Sequence, residues 1–250
     1  MNRSIVFALA WPIILSNIST PMLGIVDTAV IGNLGDPALI GAIAIGAIVF
    51  SFLFWGFGFL RMGTTGLIAQ AKGAGDTPEI KATLYRAMIT ALVIGLALVI
   101  LQRPIADFTF AMIDGSEKVE SAAKTYFQIR IWAAPFTLLY LVCLGYLLGQ
   151  QNTKAILATQ LMLNGINIAL DVVFVMGFGW GVAGIAFATI IAELITAMVA
   201  LWIVMRHLHQ TCDGLRPDFL RLTNLFQLRK TFVVNRDIMI RTLCLIFAFA

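Results

Sequence analysis

The sequence predicts an all-α membrane protein: a six-helix transmembrane bundle followed by the start of a seventh helix. Hydrophobic residues make up 60% of the 250 residues and charged residues only 12%, about half the charged fraction of a soluble domain. Apolar stretches of about 20 residues recur along the chain, each long enough to cross a hydrocarbon core about 30 Å thick. A lone strand cannot satisfy its backbone in lipid, so the spans are expected to be helices.

Six complete spans are expected in the first 205 residues. The second is expected to continue as a helix past Arg61 toward Gln70 and to end near Gly73 and Gly75. The spans are predicted at 5–32, 39–60, 84–101, 122–148, 155–177 and 181–205.

The segment after the sixth span is polar. Residues 206–235 are expected to form a cytoplasmic linker, and 236–250 to begin a seventh span that stops before it could cross a bilayer. Pro217, with Phe219, Leu222 and Phe226 at helical spacing, predicts an amphipathic helix in this linker. Its basic residues favour an anionic inner leaflet, and a solvated linker helix is the competing interpretation.

The charge distribution sets the predicted orientation and excludes one class of partner. Most lysines and arginines lie in the segments on the same side as Arg3, which predicts a cytoplasmic N-terminus. The net charge of +4 is spread through loops rather than gathered on one face, so no nucleic-acid partner is expected. The cysteines Cys143, Cys212 and Cys244 show no metal-binding spacing, and their odd number argues against a disulfide framework.

Four ionisable side chains fall inside predicted spans, where they are expensive and by default mark a site. Asp27 and Asp171 each lie about six residues from the outer end of a span, roughly 9 Å deep. Tyr126 and Arg130 lie in the first turns of a span that starts at the outer face. Thr189 is expected about 12 Å deep, and Glu193 follows one turn later.

Spacing groups these polar residues on helix faces. Asn164, Asn167 and Asp171 fall at i, i+3 and i+7, and Thr189 and Glu193 fall at i and i+4. Carboxylate and amide oxygens opposite a hydroxyl suit a hard cation such as Na⁺. A desolvated pair formed by Asp27 and Asp171 suits H⁺ equally.

A competing interpretation makes the constellation structural. In it Asp171 pairs with Arg130, and the asparagines are interhelical hydrogen-bonding groups worth about 0.6 kcal/mol each. Glu193 fits this interpretation as well as it fits a site.

Two prolines, Pro12 and Pro21, fall inside the first span. Each removes a backbone hydrogen bond and bends the helix. The bend is either a fixed kink or a hinge whose shape depends on the protonation of Asp27, two turns beyond Pro21.

No nucleotide-binding motif is present, so the chain is expected to need no cofactor and to draw coupling energy from an ion gradient. An intramembrane aspartyl protease is one alternative, but neither Asp27 nor Asp171 lies in a Gly-x-Gly-Asp context. A flippase for a lipid-linked precursor is another, and it calls for a strongly cationic cavity where this sequence offers only Arg130. An enzyme is therefore not expected.

Five sequence motifs recur in one known family. They are Ala10-Trp-Pro12, Val26-Asp-Thr-Ala-Val-Ile-Gly32, Gln70-Ala-Lys-Gly-Ala-Gly-Asp76, Asn167-Ile-Ala-Leu-Asp171 and Asn235-Arg-Asp-Ile238 followed by Arg241-Thr242. Together and in this order they resemble the multidrug and toxic compound extrusion (MATE) transporters, particularly their DinF-like branch, and the resemblance covers the whole chain.

The resemblance implies a fold of twelve helices in two lobes, of which this chain supplies the N-terminal lobe and lacks the C-terminal one. It implies a multi-pass protein of the bacterial inner membrane that exports amphipathic, cationic or lipid-like small molecules in exchange for H⁺ or Na⁺. It places the cation site on Asp27, Asn167, Asp171 and Thr189, with Tyr126 as a hydrogen-bonding neighbour and Pro12 at a bending position. Glu193 departs from that pattern.

Overall fold

The computed structural model describes residues 11, 14–15, 25–33, 35–113, 116–211 and 219–249, and all regular secondary structure within them is helical. Five helical stretches are long and apolar enough to cross a membrane. They confirm the second to sixth predicted spans. Of the first predicted span the structure describes chiefly the C-terminal end, which is helical over 25–32 (α1). Pro12 and Pro21 lie outside the described residues.

The remaining helices follow in chain order. The second span consists of α2 (Pro37–Gly56) and α3 (Phe59–Gly73), and the third is α4 (Thr77–Ile100), followed by the short helix α5 (Gln102–Phe110). The fourth joins α6 (Glu117–Arg130) to α7 (Ala134–Gly149) through a 3-10 turn, Ile131–Ala133. The fifth is α8 (Thr153–Asp171), extended by a π-helix, Val172–Gly177, and the sixth is α9 (Gly181–Thr211). Two helices close the chain, α10 (Phe219–Leu222) and α11 (Leu225–Phe249).

Side-chain caps explain where three helices begin. The carboxylate of Asp36 accepts a hydrogen bond from the Ala38 amide, and that of Asp76 accepts one from the Glu79 amide. The side chain of Asn152 caps α8 in the same way. Such caps satisfy amide groups that a helix leaves unpaired in its first turn. A capping residue in the preceding loop thus sets where each of these three helices begins.

The helix α7 forms the centre of the bundle and packs against α3, α4, α8 and α9. A glycine on α7, Gly145, allows the backbones of α7 and α3 to approach closely. A Cβ placed on Gly145 would lie 2.7 Å from the backbone oxygen of Arg61 and 3.0 Å from the Cβ of Thr64, both on α3. Small residues at helix interfaces allow this kind of backbone proximity in membranes.

We expect Gly145→Ala to destabilise the full-length protein by about 1–3 kcal/mol, because the added methyl group overpacks the contact between α3 and α7. The matched control is Gly66→Ala, which lies on α3 and has open space around its Cα. Removing that glycine is expected to leave stability unchanged or raise it by up to about 1 kcal/mol. Thermal unfolding in detergent distinguishes the two, and equal effects would contradict the packing argument.

The bounds of the last helices differ from the predicted division at 206–235 and 236–250. The sixth span runs on to Thr211, and α11 begins at Leu225. The predicted amphipathic helix is divided, because the chain turns at Thr223 and Asn224 between α10 and α11. Asn224 starts the new helix by accepting a hydrogen bond from the Gln227 amide.

An ion pair attaches this segment to the bundle. The guanidinium of Arg221 donates two hydrogen bonds to Asp76, at 2.7 and 2.8 Å. Partial burial acts to raise the pKa of Asp76, but the hydrogen bonds from Arg221 and from the Glu79 amide outweigh it and hold that pKa below its usual value. Both side chains remain about 40% exposed, at 41% and 38%, so solvent weakens the pair.

Two substitutions of Asp76 are expected to separate the ion pair from the helix cap. Asp76→Asn keeps a good cap and removes only the charge, a loss of about 0.2–1 kcal/mol. Asp76→Ala removes the cap too, a further loss of about 1 kcal/mol. Because the folded-state pKa is lowered, the contribution of the pair is fully present above the unfolded pKa of about 3.9 and is lost as pH falls through the lower folded-state pKa. Unfolding measured from pH 7 down to about pH 2 checks both statements; equal losses for the two variants would exclude a role for the cap.

Candidate functional site

Four polar side chains from three helices meet inside the bundle, in its outer half by the predicted orientation. Asp27 lies on α1, Asn167 and Asp171 lie on α8, and Thr189 lies on α9, and all four are buried. Asn167 and Asp171 are one turn apart on the same face. Asp171 is the last residue of α8 before the π-helix begins, and such irregular turns occur frequently at functional sites.

The amide of Asn167 bridges the two carboxyl groups. With its nitrogen facing them, that nitrogen lies 3.0 Å from Asp171 Oδ2 and 3.2 Å from Asp27 Oδ1 and donates to both. Its oxygen then faces the hydroxyl of Thr189, 3.3 Å away. We assign this orientation because the reverse leaves the amide oxygen facing only other acceptors. One amide therefore holds two carboxyl groups close together.

The site retains capacity for a cation. The Oδ1 atom of Asp171 is buried and has no hydrogen-bond partner among the described residues, which is unusual for a buried carboxylate oxygen. Two neighbouring carboxylates cannot both stay ionised in a dry site without a compensating cation or proton. The donor set of carboxylate, amide and hydroxyl oxygens fits Na⁺, and the free oxygen fits a proton equally.

Tyr126 and Arg130 border this group on α6. Tyr126 is buried, and its hydroxyl accepts a hydrogen bond of 2.6 Å from Arg130 Nη1. The guanidinium also lies over the ring of Phe50, 4.7 Å from its centroid, a cation–π contact. Arg130 thus supplies a positive charge next to the carboxyl pair.

The carboxylate that pairs with Arg130 is Glu193, not Asp171. The Arg130 Nη2 to Glu193 Oε1 distance is 3.8 Å, and the two side chains are 14% and 11% exposed. Glu193 also accepts a short hydrogen bond from the hydroxyl of Thr137 on α7. The competing interpretation, in which Asp171 pairs with Arg130, is therefore wrong about this contact. One arginine thus faces three carboxyl groups, Glu193 and the aspartate pair, so part of their negative charge remains to be balanced.

Asn164 lies on the same face of α8 but takes part in a different group. Its Oδ1 accepts a hydrogen bond of 3.4 Å from Gln160 Nε2. The hydroxyl of Tyr140 bonds to Thr159 at 3.2 Å and contacts Gln160 at 3.5 Å. The buried polar face of α8 thus continues from the aspartate pair toward the N-terminal end of the helix.

The sequence analysis missed Thr137, Phe50 and Gln160. Thr137 follows Arg130 by seven residues and so lies on the same helix face, which is a signal that could have been used. Phe50 and Gln160 carry no such signal, because an aromatic ring or an amide in an apolar span is common.

Solved structures share this fold. The chain superposes with a TM-score of 0.84 on a MATE protein solved in its bent conformation, at 22% identity, covering 98% of this chain and 54% of that one. A MOP superfamily transporter from Pyrococcus furiosus gives the same TM-score at 21% identity, covering 96% and 53%. These likenesses show the fold: a helical membrane bundle that corresponds to about half of each matched chain.

Sequence comparison gives the family. The MatE family profile matches residues 12–173. The DNA damage-inducible protein F of Escherichia coli is 42% identical over 241 residues, which are 96% of this chain and 52% of that protein. A probable multidrug resistance protein NorM of Acinetobacter baylyi is 27% identical over 192 residues, 75% of this chain and 42% of that protein. The chain belongs to the MatE family, and it spans about half the length of these relatives.

Family membership confirms several expectations. The chain is a multi-pass membrane protein of a transporter family, so the expectation that it is not an enzyme holds, and the aspartyl protease alternative is not supported. The relative from Acinetobacter baylyi is named for multidrug resistance.

Proposed function

We propose that the full-length protein is an antiporter that exports amphipathic, cationic organic compounds in exchange for H⁺ or Na⁺. It would lie in a bacterial inner membrane with its N-terminus in the cytoplasm. The observation that carries this proposal is the pair of buried carboxyl groups, Asp27 and Asp171, joined by one amide. The nearby arginine is already paired with Glu193, so a transported cation is left to neutralise the pair.

The proposed mechanism couples substrate release to cation binding. In an outward-open state a cation binds between Asp27 and Asp171, and its positive charge removes the repulsion between the two carboxylates. The described part of α1 then moves closer to α8, because Asp27 is the residue through which α1 contacts the site. That movement narrows the substrate cavity between this lobe and the second half of the transporter, and the lobes rock to complete the cycle.

The amide of Asn167 distinguishes the two coupling ions. A proton on either carboxyl group is compatible with the amide nitrogen facing both, as in the assigned orientation. A Na⁺ ion between the carboxylates takes oxygen ligands, so the amide would have to turn its oxygen toward them. We take H⁺ as the coupling ion to be tested first, and the Na⁺ alternative requires a rotated side chain.

The test uses the full-length protein in inverted membrane vesicles and a fluorescent cationic dye. An imposed pH gradient, a Na⁺ gradient or neither is applied, with vesicles from cells lacking the protein as the control. We expect dye transport to follow the pH gradient and to cease when an uncoupler collapses it. Dye movement that ignores both gradients would refute antiport, and movement driven by Na⁺ alone would refute the choice of ion.

A flippase for lipid-linked precursors is not favoured by the structure. Such a function calls for several unpaired basic groups around the cavity. Among the described residues inside the outer half of the bundle, Arg130 is the basic side chain at the site, and it is bound to Tyr126 and Glu193.

A further inference from the structure

A cleft of about 590 Å³ lies between α3, α4 and α11, away from the aspartate site. Pockets of this size hold small-molecule ligands. Its described lining is largely apolar, with basic residues among the apolar ones. The basic residues are Arg86, Arg229 and Arg236, and no described lining residue is acidic.

Arg86 supplies a hydrogen-bond donor that the protein itself does not use. The side chain is only 5% exposed. Its Nη1 and Nη2 atoms bond to Glu79, and Nη2 also bonds to the backbone oxygen of Arg221. Its Nε is buried with no partner among the described residues. A buried unpaired donor of a charged group is costly, and an acceptor in the cleft would satisfy it.

The cleft has the polarity of an amphiphile. Arg86 lies about 13 Å along α4 from its start, and Ile94 lies about 12 Å deeper along the same helix. On α11, Arg229 lies near the same end as Arg86, and Met239 lies about 15 Å further along. Phe59, Ile94 and Met239 thus form the apolar end, and Arg86 and Arg229 form the mouth, whereas Arg236 lies about 4–5 Å along α11 from Met239.

The cleft also borders an exposed apolar surface of the described residues. Exposed apolar side chains on α4, including Ile89, Val93 and Leu96, form a continuous stripe along the exposed face of that helix. Val93 is 62% exposed and next in sequence to the lining residue Ile94. On the other wall, Phe232 lines the cleft and is itself highly exposed. A lipid in the surrounding leaflet therefore has a lateral route into the cleft.

We propose that this cleft binds one anionic phospholipid of the cytoplasmic leaflet, with its phosphate at Arg86 and Arg229 and an acyl chain along Phe59 and Ile94. Basic pockets between membrane helices on the cytoplasmic side recognise anionic headgroups in this way. Arg236 adds less, because it also pairs with Asp237. The site is distinct from the aspartate pair and does not depend on the proposed transport cycle.

The test is photolabelling of the full-length protein in phosphatidylcholine nanodiscs that contain a small fraction of phosphatidylglycerol with a diazirine on its acyl chain. Mass spectrometry then maps the labelled peptides. We expect labels on 86–94 and 228–239, competition by unlabelled phosphatidylglycerol, and none by phosphatidylcholine.

Two variants and one control make the result decisive. Arg229→Gln changes an exposed side chain and is expected to reduce labelling of the cleft about fivefold, the effect of about 1 kcal/mol per basic residue. Arg86→Gln tests the buried donor, with thermal unfolding measured alongside. The matched control, Arg206→Gln, changes an exposed arginine on α9 outside the cleft and should have no effect.

Four outcomes would overturn the proposal. Three are equal labelling by the phosphatidylcholine and phosphatidylglycerol probes, no cleft labelling because protein covers it, and displacement of the label by the transported dye, which would assign the cleft to substrate. Labelling that Arg229→Gln leaves unchanged also contradicts it.

Discussion

Replacing either membrane carboxylate, as Asp27→Asn or as Asp171→Asn, is expected to abolish cation-driven efflux by the full-length protein while leaving its insertion intact. Asparagine keeps the size and hydrogen bonds of the side chain but cannot carry a proton or balance a cation. The remaining carboxyl group loses the partner that makes it respond to cation binding. Initial rates of dye transport in inverted vesicles, at matched protein levels, measure the effect.

The matched control is Asp107→Asn, which removes an exposed carboxylate from α5, outside the site. This variant should transport at the wild-type rate. Binding of the dye in the absence of any gradient should persist in all three variants, because the proposed defect lies in coupling. Gradient-driven transport by both site variants at the wild-type rate would show that the aspartate pair is structural.

Breaking the Arg130–Glu193 pair is expected to have the largest effect on stability. Arg130→Gln or Glu193→Gln alone leaves one buried charge without its partner, and the expected loss is about 3–5 kcal/mol. The double variant removes both charges. Its loss of stability should therefore be smaller than the sum of the two single losses, and no larger than about the loss in either single variant. Thermal and denaturant unfolding of the purified protein measure the three values.

An exposed pair provides the comparison. Lys118 and Asp36 are 2.7 Å apart, with side chains 68% and 31% exposed. Lys118→Gln should therefore change stability by less than about 1 kcal/mol. If the losses at Arg130 and Glu193 are also that small, or if they simply add, the two side chains do not form a buried pair in the membrane-embedded protein.

Much of this architecture is readable from local sequence. The lengths of the apolar stretches gave the second to sixth spans, and caps such as Asp76 and Asn152 explain their starts. The expected extension of the second span to Gly73 is present, although the helix is interrupted at Phe57 and Gly58. Local signals suffice here because span length and capping depend on residues close in sequence.

The polar site divides into a predictable and an unpredictable part. Asn167 and Asp171 share a face because of their spacing, and the depth of Asp27 and Thr189 puts them at the same level. Which carboxylate pairs with Arg130 depends instead on how α6, α7 and α9 are rotated against one another. That rotation is set by packing, so the pairing with Glu193 could not be derived from spacing. The π-helix after Asp171 changes the helical register of the residues that follow, and no residue pattern in that segment predicts it.

The central claim is that Asp27 and Asp171 bind the coupling cation, and substrate-induced cation release tests it most directly. Purified full-length protein in weakly buffered nanodiscs is mixed with the dye, while an indicator follows pH and a selective electrode follows Na⁺. Because coupling between two ligands is reciprocal, dye binding should expel protons from wild type and none from the Asp27→Asn, Asp171→Asn double variant. No cation release from wild type, or equal release from the double variant that still binds dye, would contradict the claim.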